Sequence, residues 1–250
     1  MSPRFHAAGT DVLLDEFDFS GVTSSVDLAI ENPTPDVTAF ADADQTFVEG
    51  KPNFTVTVNG FHSVASPDYE GEMFTDLTSE SRRLGVYPEG AANGNFGWEG
   101  RTNIGQDAIP TERNAAILVN VTWQGNQPIV ESQVGYVNTA VGSSANGTKY
   151  EFGAIAAAET LVGVLRLLAA PGGAGSNDCI VTVQSDADSG AGGETTRLTF
   201  ATLNQVSVAL HEVVEAAGAV TDTWWRVVVT ISGGGTRTFN LIVVFGKRKT

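Results

Sequence analysis

The residues able to do acid–base or metal chemistry are few and scattered. The histidines are His6, His62 and His211, and no two of them have the H-x-H or H-x-x-x-H spacing that places two imidazoles together. A metal site built on any one of them would need carboxylates from unrelated parts of the chain. We therefore expect solvated or hydrogen-bonded histidines, with no metal and no cofactor.

The single cysteine, Cys179, excludes an internal disulfide and a cysteine-based zinc cluster. It lies in an apolar run, which predicts a buried and unreactive thiol.

The segment Asp186-Ala187-Asp188-Ser189-Gly190 resembles the start of a calcium loop. A calcium loop needs a bidentate glutamate further along, and Glu194 comes too early for that role. The pattern favours a solvated, Asx-rich hairpin turn, with a calcium site as the alternative.

Motifs that carry catalysis are missing from the sequence. It has no G-x-S-x-G elbow, no phosphate loop and no dinucleotide fingerprint. Asp42 and Asp44 could be read as an acid and a base, but nothing marks a substrate pocket around them. The sequence therefore predicts a binding or structural protein and not an enzyme.

The charge excludes a basic nucleic-acid-binding module. The 250 residues include 14 Lys and Arg against 29 Asp and Glu, for a formal charge of -15. Residues 1–150 hold 20 acids and 7 bases, whereas residues 151–250 hold 9 and 7. The N-terminus shows no signal core, and the apolar run 161–171 is too short for a bilayer and contains Arg166. We expect a soluble protein, without membrane insertion, that stays in the cell producing it.

Hydrophobicity in the first part alternates with a period of two, which predicts half-buried strands at 26–31, 54–61 and 116–123. A turn at 124–126 predicts that the segment from Pro128 onward is the hairpin partner of the third strand. Between residues 69 and 81, apolar residues recur every four positions, which predicts a short amphipathic helix packed on the sheet.

The second part reads as a series of short strands separated by Gly-rich turns, which is typical of an antiparallel sandwich. The candidates are Leu161–Leu168, Cys179–Val183, Thr196–Phe200, Val206–Val214, Trp224–Ile231 and Thr238–Phe245. Residues 159–170 also fit helical spacing, and strand is the favoured interpretation. The Gly- and Ser-rich stretch 141–148 predicts a boundary between domains 1–145 and 149–250.

Residues 11–62 contain four short segments in a distinctive order. They are a strand opening, a short T-x-F segment, a G-K-x turn and a strand ending in N-G-F: Phe19–Leu28, Asp36–Asp42, Phe47–Pro52 and Phe54–Phe61. This order resembles the tail tube (major tail) proteins of long-tailed bacteriophages. Tyr87-Pro88-Glu89-Gly90 also fits, so the resemblance covers roughly residues 10–140.

The second part is similar to a β-sandwich appended to some phage virion proteins, through Val181–Asp188, Trp225–Val229 and Phe239–Gly246. It departs from them at residues 190–193, where Gly-Ala-Gly-Gly replaces the usual aromatic.

The resemblance implies a mainly β fold: an N-terminal β-sandwich or small barrel with one flanking helix, plus a C-terminal antiparallel β-sandwich. It implies a structural virion protein whose hexameric rings self-assemble into a tail tube. The tape measure and tail terminator would be partners, and genome DNA would pass through during ejection without specific binding. The tail would be assembled in the host cytoplasm.

Acids of the first part are then candidates to line the lumen, because carboxylates repel a duplex with about one charge per 1.7 Å of axis. These are Asp15, Glu16, Asp18, Asp42, Asp44, Glu49, Glu70 and Glu72. The alternative is that they only confer solubility.

Inter-ring contacts are expected from the segments 41–51 and 89–105, with Phe47, Phe96 and Trp98 as anchors. For the two residues of the second segment, a small local core is the alternative. A different functional class stays open as well: a capsid decoration or surface-adhesion protein that binds glycan through the C-terminal domain. An unrecognised glycan-active enzyme is a third possibility.

Overall fold

The computed structural model describes residues 9–32, 34, 36–39, 44–47, 53–61, 82–108, 118–190 and 192–249. These residues form sixteen β-strands and no α-helix, which confirms the mainly β fold class. The predicted helix at 69–81 lies outside the described residues. In chain order, β1 to β16 are Asp11–Leu14, Phe17–Asp18, Thr23–Glu31, Asn53–Phe61, Arg82–Tyr87, Phe96–Ala108, Leu118–Gly125, Val130–Val141, Ala145–Asn146, Tyr150–Glu151, Glu159–Leu167, Asp178–Asp186, Thr195–Thr199, Leu210–Ala217, Trp224–Ser232 and Phe239–Lys249.

The chain divides into two compact units. Unit 1 comprises Met1–Ser20, Leu84–Glu99 and Val130–Thr250, and unit 2 comprises Gly21–Arg83 and Gly100–Ile129. Strands β5 and β6 therefore begin in one unit and end in the other. The sequence-based boundary at 141–148 lies inside unit 1, and the division into 1–145 and 149–250 remains a prediction.

Unit 1 contains two antiparallel sheets. In the first, the strand order is β14-β11-β16-β8-β6-β5-β1-β2, and in the second it is β10-β15-β12-β13, with β9 also paired to β15. A core of apolar side chains joins the sheets, including Leu161 and Leu165 from β11 and Val181 and Val227 from the second sheet. The six strands predicted for the second part are all present, although β14 begins at Leu210 and not at Val206.

Strands β11 and β16 are buried on both faces. Leu161 and Leu165 point into the core between the sheets, whereas Val162 and Val164 belong to a second cluster on the opposite face. A strand buried on both sides has no polar alternation, so its sequence reads as a continuous apolar run. This is why Glu159–Leu167 fits helical spacing as well, and the strand interpretation is confirmed.

The first sheet curls, because strands far apart in its order contribute to one cluster. Leu13 of β1 and Tyr87 of β5 lie in the same cluster as Val164 of β11 and Val244 of β16. The curled sheet thus encloses an interior of its own, and that interior holds the charged groups described below.

The Gly- and Ser-rich stretch 141–148 carries the chain from the first sheet of unit 1 to the second. Strand β8 ends at Val141 and pairs with β16, whereas β9 and β10 both pair with β15. A change of sheet requires a sharp bend, and small residues permit it.

Unit 2 is an antiparallel sheet in the order β3-β4-β7-β6. Its apolar face is built from alternate residues of β4 and β7, such as Phe54, Val56, Val121 and Trp123, all of which are buried. The opposite face carries a polar ladder in which the Asn120 amide donates to Asn59 Oδ1 over 2.6 Å. The alternation predicted at 54–61 is therefore confirmed. The strand predicted at 26–31 is present as β3, but only Val26 and Leu28 are half-buried there, and Ile30 is exposed.

The predicted β7–β8 hairpin is wrong. Strand β7 pairs with β4 and with the second part of β6, whereas β8 pairs with β16 and with the first part of β6. The turn at 124–126 is present, but β6 is long enough, at 13 residues, to accept both strands in succession. Local turn residues specify a change of direction and do not specify the partner strand.

Two glycines make room for the buried ring of Phe54 on β4. A Cβ on Gly100 would lie 2.1 Å from the Phe54 ring, and one on Gly125 would lie 2.3 Å from it. Because these distances are far below van der Waals contact, both positions require a residue without a side chain.

We expect Gly125→Ala to destabilise unit 2 by about 1–3 kcal/mol, because the new methyl group overlaps the Phe54 ring. Gly21→Ala is the matched control, since a Cβ there meets nothing within 4 Å; its effect should stay within about 0.5 kcal/mol. Urea denaturation of both variants measures the difference. Equal stability of the two variants would contradict the packing described for Phe54.

Candidate functional site

The interior of the curled sheet holds a fully buried ion pair between Arg166 of β11 and Glu99 of β6. Both side chains have no exposed area. The guanidinium binds the carboxylate through two parallel hydrogen bonds, of 2.7 Å from Nη1 and 3.0 Å from Nη2. Its third donor, Nε, reaches the backbone carbonyl of Asp15 at 2.6 Å. A buried charge is tolerated only when it is paired and hydrogen-bonded in this way.

Tyr87 completes the pair from β5 by donating its hydroxyl to Glu99 Oε1. Burial by itself lowers the pKa of Arg166, but the charges of Glu99, Tyr87 and Asp15 and the hydrogen bonds to Glu99 together outweigh burial and raise that pKa above its ordinary value. A Cβ on Gly97 would lie 2.3 Å from the Tyr87 ring, so this glycine is needed to admit the tyrosine. The ion pair has no exposed area, which suits a structural role.

His211 on β14 links this network to the surface at the turn between β1 and β2. One ring nitrogen lies 3.3 Å from Asp15 Oδ1 and the other lies 3.2 Å from Glu16 Oε2. The three residues offer metal-ligating atoms within 4.8 Å of one another. Since each ring nitrogen faces a different carboxylate, the arrangement is that of a histidine bridging two acids. It also joins β14, at one end of the first sheet, to the β1–β2 turn at the other.

The predicted lumen acids fall into three groups. Asp15 is buried against His211, so its carboxylate does not face solvent. Glu16 is half-buried, and Asp18 and Asp44 are exposed. Asp42, Glu49, Glu70 and Glu72 lie outside the described residues. That these acids line a lumen stays a prediction. Among the described ones, the exposed Asp18 and Asp44 are best placed for that role.

The predicted contact residues include two exposed phenylalanines and one half-buried tryptophan. Phe47, in unit 2, has 57% of its surface exposed, and Phe96, in unit 1, has 51%. The Phe96 ring stacks on Phe152 with centroids 6.4 Å apart, and Phe152 in turn meets Phe245 edge-on at 5.5 Å. Phe96 thus takes part in a local aromatic row and is also half exposed, and its role in contacts between rings stays a prediction. Trp98 is half-buried on the same strand.

A second polar cluster surrounds Lys149, between β9 and β10, at the turn that joins β12 to β13. The ammonium lies 2.5 Å from Asp186 Oδ2 and 3.2 Å from Glu194 Oε1. The hydrogen bond with Asp186 is the main reason that the pKa of Lys149 is raised and that of Asp186 is lowered. A hairpin turn was predicted at 186–190 and Glu194 was considered there only as a calcium ligand that comes too early, whereas nothing in the sequence associated Lys149 with the turn.

Two further side chains of a type that can be reactive, Ser185 and Cys179, are held in structural contacts. The Ser185 hydroxyl donates to Asp222 Oδ2 over 2.6 Å and accepts the Arg197 Nε–H over 2.7 Å, and Ser185 is buried. Cys179 is buried in the core of unit 1, as predicted, and burial raises the pKa of its thiol to about 12. A thiol with such a pKa is unreactive at neutral pH.

Unit 2 carries an open strand edge. Strand β3 pairs with β4 over its whole length, from Thr23 to Glu31, and among the described residues no strand pairs with its other side. The side chain of Ile30 on this strand is 52% exposed. An edge that no described strand covers is a surface on which a further strand can add.

Within the described parts of the chain, no helix is long and apolar enough to cross a membrane.

Comparisons with known proteins give no family assignment. No protein-family model matches the chain, and no curated protein matches its sequence. Among solved structures, it is similar to a chain of the virion of a native gene transfer agent particle. The TM-score is 0.38 and the identity 12%, over 48% of this chain and 95% of the other.

Two further solved structures show a similar degree of likeness. One is the tail of an empty gene transfer agent particle with C6 symmetry, with a TM-score of 0.36 and 12% identity over 47% of this chain and 92% of the other. The other is the Dit protein of phage SPP1, from a hub adsorption apparatus, with a TM-score of 0.38 and 9% identity over 95% and 98%. At these TM-scores, none of the three likenesses establishes a shared fold or function.

We expect Arg166→Met to destabilise unit 1 by about 3–5 kcal/mol, because it leaves the Glu99 carboxylate buried without its partner. The double variant Arg166→Met with Glu99→Gln removes both charges and keeps an acceptor for the Tyr87 hydroxyl, so it should lose less than Arg166→Met alone. Urea denaturation of the three proteins gives the comparison. A single variant as stable as the parent protein would show that the pair does not hold the sheet.

Proposed function

We propose that this chain is the subunit of a bacteriophage tail tube, in which hexameric rings of identical copies stack into a conduit for genome DNA. The observation that carries the proposal is the open edge of β3. The family resemblance of residues 10–140 points in the same direction. The three solved structures named above add no argument, because their TM-scores are too low.

The β3 edge has only some of the features by which monomeric proteins protect an exposed strand. Its nine residues include no proline and no lysine, although Asp27 and Glu31 are exposed acids and a register irregularity lies at the start, between Thr23 and Ser25. Short edge strands, inward charges and prolines usually prevent strands of two molecules from pairing. A long edge that no described strand covers is suited to pairing with a strand of a second copy, and such pairing would add hydrogen bonds at each interface of a ring.

Exposed apolar side chains of unit 2 supply further contact surface. Val37 and Phe47 are 49% and 57% exposed, in neighbouring positions of a bridged loop where the Val37 N–H donates to the Thr46 carbonyl over 2.9 Å. Phe61 and Leu118 are directly paired across β4 and β7 and are 51% and 40% exposed. Aromatic residues dominate contact energies when neighbouring molecules bury them. We assign Phe47 to contacts between rings, together with Phe96 and Trp98.

The acidic charge suits a conduit for DNA. With a formal charge of -15, the chain repels a duplex, and repulsion from the wall keeps DNA from adhering during passage. Asp18 and Asp44, whose side chains are exposed, are the described residues that we assign to the lumen. DNA then passes without specific binding, and the tube meets the tape measure and the tail terminator at its ends, within the virion tail. The subunits assemble in the host cytoplasm.

Assembly tests the proposal directly. We expect the purified protein to form tubes of uniform bore in negative-stain microscopy, and Ile30→Lys to abolish them, because a lysine on the β3 edge disfavours pairing with a second strand. Val206→Lys is the matched control: Val206 is 77% exposed on a loop of unit 1 and should leave tubes intact.

A protein that stays monomeric at high concentration, with or without its virion partners, would contradict the tail tube role. Monomers or trimers that bind capsids, cells or glycans would instead favour the decoration or adhesion function.

The lumen charge has its own test. In phage particles built with Asp18→Lys and Asp44→Lys, we expect DNA ejection to slow, and to slow more at low than at high salt, because salt screens the new attraction. Glu131→Lys with Glu151→Lys makes the same charge change at two exposed residues that we do not assign to the lumen, and it should leave the rate unchanged. Equal ejection rates for the two double variants would mean that the two acids only keep the chain soluble.

A further inference from the structure

Three side chains that can react with one another meet where β12 ends. The Lys149 nitrogen lies 2.5 Å from Asp186 Oδ2 and 3.2 Å from Glu194 Oε1. A lysine amine is a nucleophile once it has lost its extra proton. The contacts therefore place a nucleophile against one carboxyl group, with a second carboxyl group beside the same nitrogen.

The three groups are enclosed and held in position. The side chains of Lys149, Asp186 and Glu194 are 9%, 7% and 14% exposed. The Lys149 nitrogen also donates to the backbone carbonyl of Gly190, which fixes it from a further side. Amide formation between a free amine and a free carboxylic acid is disfavoured in water. Two groups fixed in contact have an effective concentration of up to about 10⁵–10⁸ M, which can reverse that balance.

The starting state of the cluster is an ion pair. The hydrogen bond between the two groups raises the pKa of Lys149 and lowers the pKa of Asp186. An ammonium has no lone pair for attack, so a base must first remove a proton from it. Glu194 contacts the nitrogen, and hydrogen bonds from its own backbone and from Lys149 lower its pKa, which keeps it ionised at neutral pH. Arg226 Nη1, 3.1 Å from Glu194 Oε1, favours the same ionised form.

We propose that Lys149 and Asp186 become joined by a covalent amide bond and that Glu194 is the catalytic residue of this reaction. The proposal is independent of the tail tube function.

The reaction needs no co-reactant, because an ammonium and a carboxylate together give an amide and one water. Glu194 takes a proton from the Lys149 ammonium, and the freed amine attacks Asp186 Cγ. The bond between Nζ and Cγ forms, and the bond between Cγ and one carboxylate oxygen breaks. Glu194 carries the two protons lost by the nitrogen to the departing oxygen, one after the other, and ends as a carboxylate again.

The bond fastens a segment whose strands are short. Lys149 lies between β9 and β10, which contain two residues each, and both of these strands pair with β15. Asp186 is 37 positions further along the chain, at the end of β12. A covalent cross-link over such a loop restricts the unfolded chain and so stabilises the folded one.

Intact-mass spectrometry of the purified full chain tests the proposal. We expect a mass lower by one water than the sequence requires and, after tryptic digestion, a branched peptide in which Lys149 is joined to Asp186. Lys149→Arg keeps the positive charge of the ion pair but supplies no amine, so this variant should have its full mass. Its urea midpoint should lie below that of the parent protein, because its unfolded chain carries no cross-link.

The catalytic role of Glu194 has a separate readout, the rate at which the water is lost after synthesis. Glu194→Gln keeps the shape of the side chain and removes the base, so cross-linking should slow by about 10²–10⁴-fold. Glu131→Gln, at an exposed acid elsewhere in unit 1, is the matched control and should cross-link at the parental rate.

A parent protein that keeps its full mass after prolonged incubation at neutral pH would overturn the proposal. A loss of water that persists in Lys149→Arg would do the same, because the water would then come from another site. Equal rates for Glu194→Gln and the parent protein would overturn the assignment of Glu194 as the catalytic residue.

Discussion

The charge of Arg166 is the constraint on which the architecture of unit 1 depends. A guanidinium without exposed area needs all its hydrogen-bond partners inside the protein. Arg166 binds Glu99 of β6 and the Asp15 carbonyl in the turn after β1. Tyr87 of β5 joins indirectly, because its hydroxyl donates to Glu99. Only one register of β11 places that side chain opposite the carboxylate. A shift by one residue would turn Arg166 into the core between the two sheets. The ion pair is costly to bury, and its value lies in selecting a single arrangement of the strands.

The local structure was predictable from the sequence because it depends on neighbours along the chain. Alternation at 26–31 and 54–61 identified β3 and β4, and the apolar runs separated by glycines identified the six strands of the second part. The partners of those strands were not predictable. Strand β6 pairs with β8 through its first residues and with β7 through its last, and such sharing depends on strand length and register across the whole chain.

The side-chain clusters were not predictable from the sequence either, because their members are distant along the chain. Arg166 was visible only as an interruption of an apolar run, since its partner Glu99 lies 67 residues away. Asp15 was grouped with exposed acids because composition does not reveal burial, and the residue in fact faces His211 across 196 positions of sequence. Glu194 was dismissed as a ligand on spacing alone, yet the turn brings it to a lysine that precedes the whole hairpin. A side-chain cluster whose members are distant in sequence can be identified only from the three-dimensional structure.

The separation between Asp15 and Arg166 also affects how the protein is made. During translation, the residues of unit 2 leave the ribosome by position 129, so that unit can fold while the rest is still being synthesised. Unit 1 is completed later, because the turn after its first strand contacts Arg166 of β11 and His211 of β14, and β16 ends only at Lys249. Strand β1 can pair with β5 early, but Asp15 has to await the C-terminal strands, which makes the newly finished polypeptide dependent on a late docking step that involves its own beginning.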